Sequence, residues 1–350
     1  VGLTTTTGTF RYSGSVSSTT ARVITMAGST GGAVIDASGA GALVFTSGTS
    51  VATVAGNKTL TLTGSSMAAN SIGMITQQLS STTSLVKTGP GLWTLTGAST
   101  YSGTTAILDG TIVVGVNTLP SSGAFGTLSA APTLGDASNG VSGTAAMLLA
   151  QNVTFTKWLM VPASGTGSTQ RVVIGGANTS GTAAFSDANS FIFAGRDLTL
   201  QAATSGTVEF RNKWNNAAGD YYPTVNMTVG SAGNLGTVLL TNDLSTTGTV
   251  AVNFGRLHVA GALGQFQFAS RVVVDGNGAE LKYNADTPMS RPLSLLQGIL
   301  SGTGTISADG GVTVGTSAIL SPGNSPGIQP FTTGLTWASG GTYLWEINNW

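Results

Sequence analysis

Cysteine is absent from this 350-residue chain, so neither a disulfide framework nor thiolate chemistry is available to it. Charge is almost as scarce. Lys and Arg number 13, Asp and Glu 13, giving 7% charged residues and a formal net charge of zero, against roughly 25% in an ordinary globular domain. So thin a basic complement excludes nucleic acid as a partner, because phosphate binding needs a dense positive surface. With a single histidine, His258, and no thiolate, a zinc site of the usual nitrogen and sulfur ligands is excluded as well. No run of 18 apolar residues occurs, so no transmembrane helix is expected. The chain opens at Val1 without a basic or apolar leader and reads as a mature or trimmed part of a longer gene product.

What fills the composition instead is glycine, at 51 positions, with Thr and Ser making up about a quarter of the chain. Hydrophobic residues still reach 41%, enough for a core, and they come in short β-type runs. Ala33-Val34-Ile35, Thr59-Leu60-Thr61-Leu62-Thr63, Thr111-Ile112-Val113-Val114, Arg171-Val172-Val173-Ile174 and Thr237-Val238-Leu239-Leu240 are examples. Gly, Ser, Asn or Asp separates one run from the next, at turn-to-turn spacings that read as all-β. Sandwich, barrel and solenoid fit that rhythm. The narrow Val, Ile, Leu and Ala interior and the uniformly small turns favour stacked coils of roughly 20–25 residues, a right-handed parallel β-helix. No linker divides the sequence, so a single continuous solenoid over 1–350 is expected. One stretch near 196–222 is richer in charge, with Arg196, Asp197, Glu209, Arg211, Lys213 and Asp220, and reads as an enlarged loop region.

One segment carries a recognisable motif. Lys87-Thr88-Gly89-Pro90-Gly91-Leu92-Trp93-Thr94-Leu95 leads into Ser99-Thr100-Tyr101-Ser102-Gly103 and closes with Gly110-Thr111-Ile112-Val113-Val114. Over 84–115 this resembles the autotransporter-associated β-strand repeat, also called the passenger-associated transport repeat. Ser99 stands where that pattern usually has Asn, and Ile112 where it has Leu. Both are physically tolerable, since Ser also caps turns and Ile also packs inward. Weaker echoes are Val252 to Gly264, with Gly255-Arg256-Leu257-His258-Val259, and Leu296 to Gly327. The resemblance implies a secreted β-solenoid displayed on the outer surface of a diderm bacterium. It implies transport and folding of a passenger, not an active site.

His258 lies between Leu257 and Val259, so alternation sends it to the outer face, where it lacks the buried, oriented setting of a catalytic base. Asp197, Glu209, Arg211 and Lys213 lie about one coil apart and could meet on one face, as in a carbohydrate-active β-helix enzyme. Structural ion pairing is the plainer reading of them. Asp275-Gly276-Asn277-Gly278-Ala279-Glu280 lacks calcium-loop spacing and reads as a tight turn. No cofactor or metal is expected. Trp214, Tyr221, Tyr222 and Trp345 are the candidates for an interface or a glycan contact, because aromatics in polar surroundings anchor subunits or stack on sugars, and for Trp214, Tyr221 and Tyr222 filling the core beneath a long loop is the competing reading. The sequence thus points to a structural or adhesive extracellular protein, not an enzyme. Copies of itself are the expected partner and surface glycans a further one, with a filament or coat subunit as the specific form. A polysaccharide lyase or hydrolase is the alternative.

Overall fold

Alternation decides which way each side chain faces. In Lys58–Thr63 the residues Lys58, Leu60 and Leu62 are buried while Thr59, Thr61 and Thr63 are not, as a pleated strand requires. The same two-residue period recurs in Ala33–Ala37 and Thr83–Lys87. The computed structural model describes all residues except 52–54, 79, 120, 128–130, 187–190, 216–223, 243, 245, 262–265, 267, 268, 325 and 346–350. Among the described residues every regular element is a β-strand. Two units emerge, Val1–Val173 and Ile174–Trp350.

In the first unit the strands pair in parallel with partners one coil away. Gly8 pairs with Ala33, Ala33 with Leu60, Leu60 with Leu85 and Leu85 with Thr105. This is a parallel β-solenoid. The register stacks like upon like: Ile35, Leu62, Lys87, Ile107 and Leu134 form one interior column. On a second sheet Phe45, Ile72, Leu95, Val114 and Leu149 form another, and Trp93, Ile112 and Met147 a third. Leu62, Ile72, Leu95, Ile107 and Val114 are all 0% exposed.

The second unit repeats the plan. Ala183, Val208, Val238, Leu257, Leu281, Leu300, Leu320 and Tyr343 succeed one another in register. Leu200, Val229, Val252, Val274, Leu295, Val314 and Trp337 do the same on the neighbouring row. Phe185 and Phe210 stack with ring centroids 4.8 Å apart, 2° from parallel. Here strands run on through corners: Arg271–Ala285 serves both rows, with register shifts between Val274 and Glu280. The stretch read as an enlarged loop holds the strands Leu198–Ala202, Thr207–Phe210 and Lys213–Asn215.

Coil length is less uniform than the sequence suggested. Thr237 pairs with Arg256 but Gly110 with Ala145, because only the strand rows must match and turns absorb extra residues. The turns depend on glycine where main chains meet. Gly110 has φ +73°, and a methyl group there would run into the Gly89 carbonyl and the Lys87 ammonium.

Two substitutions test this packing. Leu95→Asp places a charge between Ile72 and Val114 and is expected to cost about 3 kcal/mol or more; an unchanged denaturation midpoint would refute the inward placement. Gly110→Ala combines left-handed strain with a backbone clash, so it should destabilise by more than ~1 kcal/mol. Wild-type stability in the alanine variant would show that the turn can relax.

Candidate functional site

Among the described residues the acidic side chains do not converge. Asp197 accepts hydrogen bonds from the Asn226 backbone N–H at 2.7 Å and its Nδ2 at 2.8 Å. Glu209 pairs instead with Arg211 and accepts from Thr241 Oγ1 at 2.9 Å. Burial opposes ionisation of Glu209, but the bonds from Arg211 and Thr241 and the guanidinium charge outweigh it and hold the carboxyl below its usual range. The Lys213 side chain lies outside the described residues. Structural pairing, not an acid–base couple, is what Glu209 and Arg211 make.

Two coils on, Arg256 Nε donates to Glu280 at 2.6 Å, and Ser301 Oγ donates to the other Glu280 oxygen at 2.6 Å. His258 is half-buried on the same row, its Nε2 3.1 Å from Asn284 Nδ2. Desolvation, then the charges of Lys282 and Arg256, push its pKa down, with Glu280 opposing. His258 is therefore neutral near pH 7. A polar groove of about 480 Å³ flanks the pair, lined by Thr204, Ser205, Leu235, Asn277 and Glu280 among others. Asp275 accepts from Gln297 Nε2 at 2.9 Å, apart from Glu280. Among the described residues no three His, Cys, Asp or Glu side chains gather as a metal would require.

The aromatic candidates separate. Trp214 is 3% exposed and lies 5.6 Å from the Phe210 ring; it fills the interior and offers no outer face. Tyr221 and Tyr222 lie outside the described residues. Trp345 is 78% exposed, beside Tyr343, Leu344 and Ile328, on a hollow of about 270 Å³ floored by Leu320, Phe331 and Leu335.

The residues that sequence reading passed over are the lysines. The chain has five, and Lys58, Lys87 and Lys157 are 3%, 0% and 2% exposed. Lysine is almost never so buried unless paired. Their partners are main-chain carbonyls: Lys87 Nζ donates to Thr88, Gly89 and Asp109 at 2.9, 2.5 and 3.0 Å. Lys157 Nζ donates to Phe125, Gly126 and Thr127 at 3.0, 2.8 and 2.9 Å. Burial pushes both pKa values down to about 8, opposed at Lys87 by Asp109, so both stay protonated at neutral pH. Parity would have revealed two of them, since Lys58 lies two residues before Leu60 and Lys87 two after Leu85.

Several motif residues around Lys87 are bonded within the fold. Trp93 Nε1 donates to the Thr63 carbonyl at 3.0 Å, and Tyr101 and Thr105 hydroxyls share a 2.6 Å bond. Ser99 Oγ accepts from the Ile75 N–H at 3.0 Å, which is how serine serves where asparagine is usual. Residues 85–114 match the passenger-associated-transport-repeat family model. No curated protein and no solved structure matches the chain. The chain thus carries a passenger-associated transport repeat within a parallel β-solenoid.

The buried lysines and tyrosines set the pH response. Between about pH 8 and the ordinary lysine value near 10.4, the native chain has released protons that the unfolded chain keeps, so stability rises with pH. Burial raises the pKa of Tyr101, and that of Tyr283 to about 12. Above roughly pH 10 the unfolded chain ionises tyrosines that the fold keeps neutral, and stability falls. Denaturant midpoints across pH 7–11 should therefore rise above about pH 8 to a maximum near 10. A steady decline from pH 7 would contradict the burial of these lysines.

Proposed function

We propose that this chain is a structural part of a secreted, passenger-like β-solenoid on the outer surface of a diderm bacterium, acting as a stalk or filament subunit. The observation that carries this reading is the run of in-register interior columns, which builds length and stiffness from repeated coils. Outer strand positions are filled by hydroxyls, as in Thr207, Thr237, Thr313 and Ser321. Glu209 and Asp197, the acids on which a carbohydrate-active reading would depend, are committed to bonds within the fold. That favours a scaffold over a catalyst.

Self-association is the specific form we propose. A net charge of zero on 350 residues offers little repulsion between copies. Trp345, Tyr343, Leu344 and Ile328 give the surface an exposed apolar cluster, suited to bury an aromatic anchor at a contact between copies. Sedimentation velocity at micromolar concentration tests this directly. Boundaries heavier than monomer are expected for the native chain and should weaken with Trp345→Ser. A single monomer boundary for the native chain would reject assembly.

A further inference from the structure

Each interior lysine joins two consecutive coils. Lys87 occupies a place in the Ile35–Leu62–Lys87–Ile107–Leu134 column, where its methylene stem replaces an aliphatic side chain. Its ammonium extends past the strand end and collects the carbonyls of Thr88 and Gly89 from its own turn and of Asp109 from the next. Lys157 reaches back one coil to Phe125, Gly126 and Thr127. Lys58 bonds Gly56 in its own coil at 3.0 Å and Ser29 in the preceding one at 3.2 Å. Every cage includes the carbonyl of a glycine with positive φ: Gly89 at +67°, Gly126 at +63° and Gly56 at +140°. A left-handed turn residue swings its carbonyl inward, away from the strand ladder, and leaves it without a main-chain donor. With the Thr88 and Asp109 carbonyls beside that of Gly89, three oxygens lie 2.5–3.0 Å from the Lys87 nitrogen, one for each N–H of a primary ammonium group. A hydroxyl or amide could serve fewer of them.

We propose that the carbonyl cages at Lys87 and Lys157 are binding sites for a primary ammonium group, filled by the chain's own side chain, and that each lysine thereby latches neighbouring coils into one cooperative unit. A coil that has formed alone leaves the ammonium desolvated and partly unbonded. Laying down its neighbour supplies the missing carbonyls. The repeat at 85–114 then folds as a pair of coils, because the Lys87 head is complete only when the turn at Asp109 is in place.

The ligand specificity gives the test. Lys157→Ala and Lys87→Ala remove three carbons and the ammonium, which is n-propylammonium, and leave the cage open. Both variants should unfold at lower temperature than the native chain, and n-propylammonium chloride should restore the midpoint saturably. Potassium and choline chloride, which bring charge without N–H donors, should restore far less. Lys157→Met, whose side chain fills the stem space but donates nothing, should be destabilised and insensitive to the amine. Equal rescue by potassium or choline, no rescue by any salt, or a methionine variant as stable as the native chain would each overturn the assignment. In Lys87→Ala, amide exchange should accelerate together across Leu92–Leu95 and Gly110–Val114; acceleration confined to one strand would refute the latch. Should the alanine variants not fold, the native chain still decides. Its 1H–15N spectra near pH 6 should show slowly exchanging side-chain ammonium signals for Lys87 and Lys157 but not Lys282, and their absence would overturn the cages.

Discussion

Stacking parallel coils creates a surplus of inward-facing carbonyls at the corners, and the interior of this protein is arranged around that surplus. Strand ladders satisfy main-chain groups between coils, but a corner turns the chain and breaks the ladder. Buried amide side chains donate to these carbonyls. Asn70 Nδ2 gives bonds to Ser66, Ala68 and Leu92 carbonyls at 3.2, 3.2 and 3.0 Å. Asn178 Nδ2 gives bonds to Ser180, Gly181 and Thr207 carbonyls at 3.1, 2.9 and 3.1 Å. At Asn178 and Gln329 the amide nitrogens are used while Oδ1 and Oε1 have no partner among the described residues. At these two amides the acceptor is left over and the donor is used. Lysine, with three donors and no acceptor, fits that condition better than any amide.

This explains an otherwise odd distribution of charge. A chain with only 13 basic residues places three lysines where charge is least welcome. Desolvation costs stability, as the pKa near 8 at Lys87 and Lys157 shows, but an orphaned carbonyl triad costs more than a single unpaired group. Among the described residues, ion pairs lie at the surface, Arg11 with Asp36, Arg211 with Glu209 and Arg256 with Glu280. Half-exposed pairs of that kind contribute little stability. They leave the hydroxyl-rich faces close to neutral.

Most of the fold was legible in the sequence for one reason: in a parallel solenoid, burial is a local property. Thr59-Leu60-Thr61-Leu62-Thr63 states its own inward face, and the register only stacks such faces. The motif around Lys87 was legible too, because Gly89, Trp93, Tyr101 and Gly103 have fixed spacings set by one coil. Coil lengths were not, since the excursion between Gly110 and Ala145 leaves both ends in register and has no signature in alternation. For Trp214 the polar neighbours left an outward contact and core filling both open, and its parity within Lys213–Asn215 sends it inward onto Phe210.

The lysines show where local reading fails even when the pattern is present. Parity marks Lys58 and Lys87 as inward, yet a charged residue at an inward position is ordinarily taken as an exception to the pattern. What makes the placement sensible is non-local: the Asp109 carbonyl stands 22 residues beyond Lys87, and that of Phe125 32 residues before Lys157. Those separations are one coil, the length over which a solenoid brings its chain back on itself. A lysine followed two residues later by a left-handed glycine therefore has a physical meaning in such a fold. The glycine turns a carbonyl inward, the lysine meets it, and the coil next in line supplies the remaining acceptor, so that the motif describes a junction between coils and not a surface.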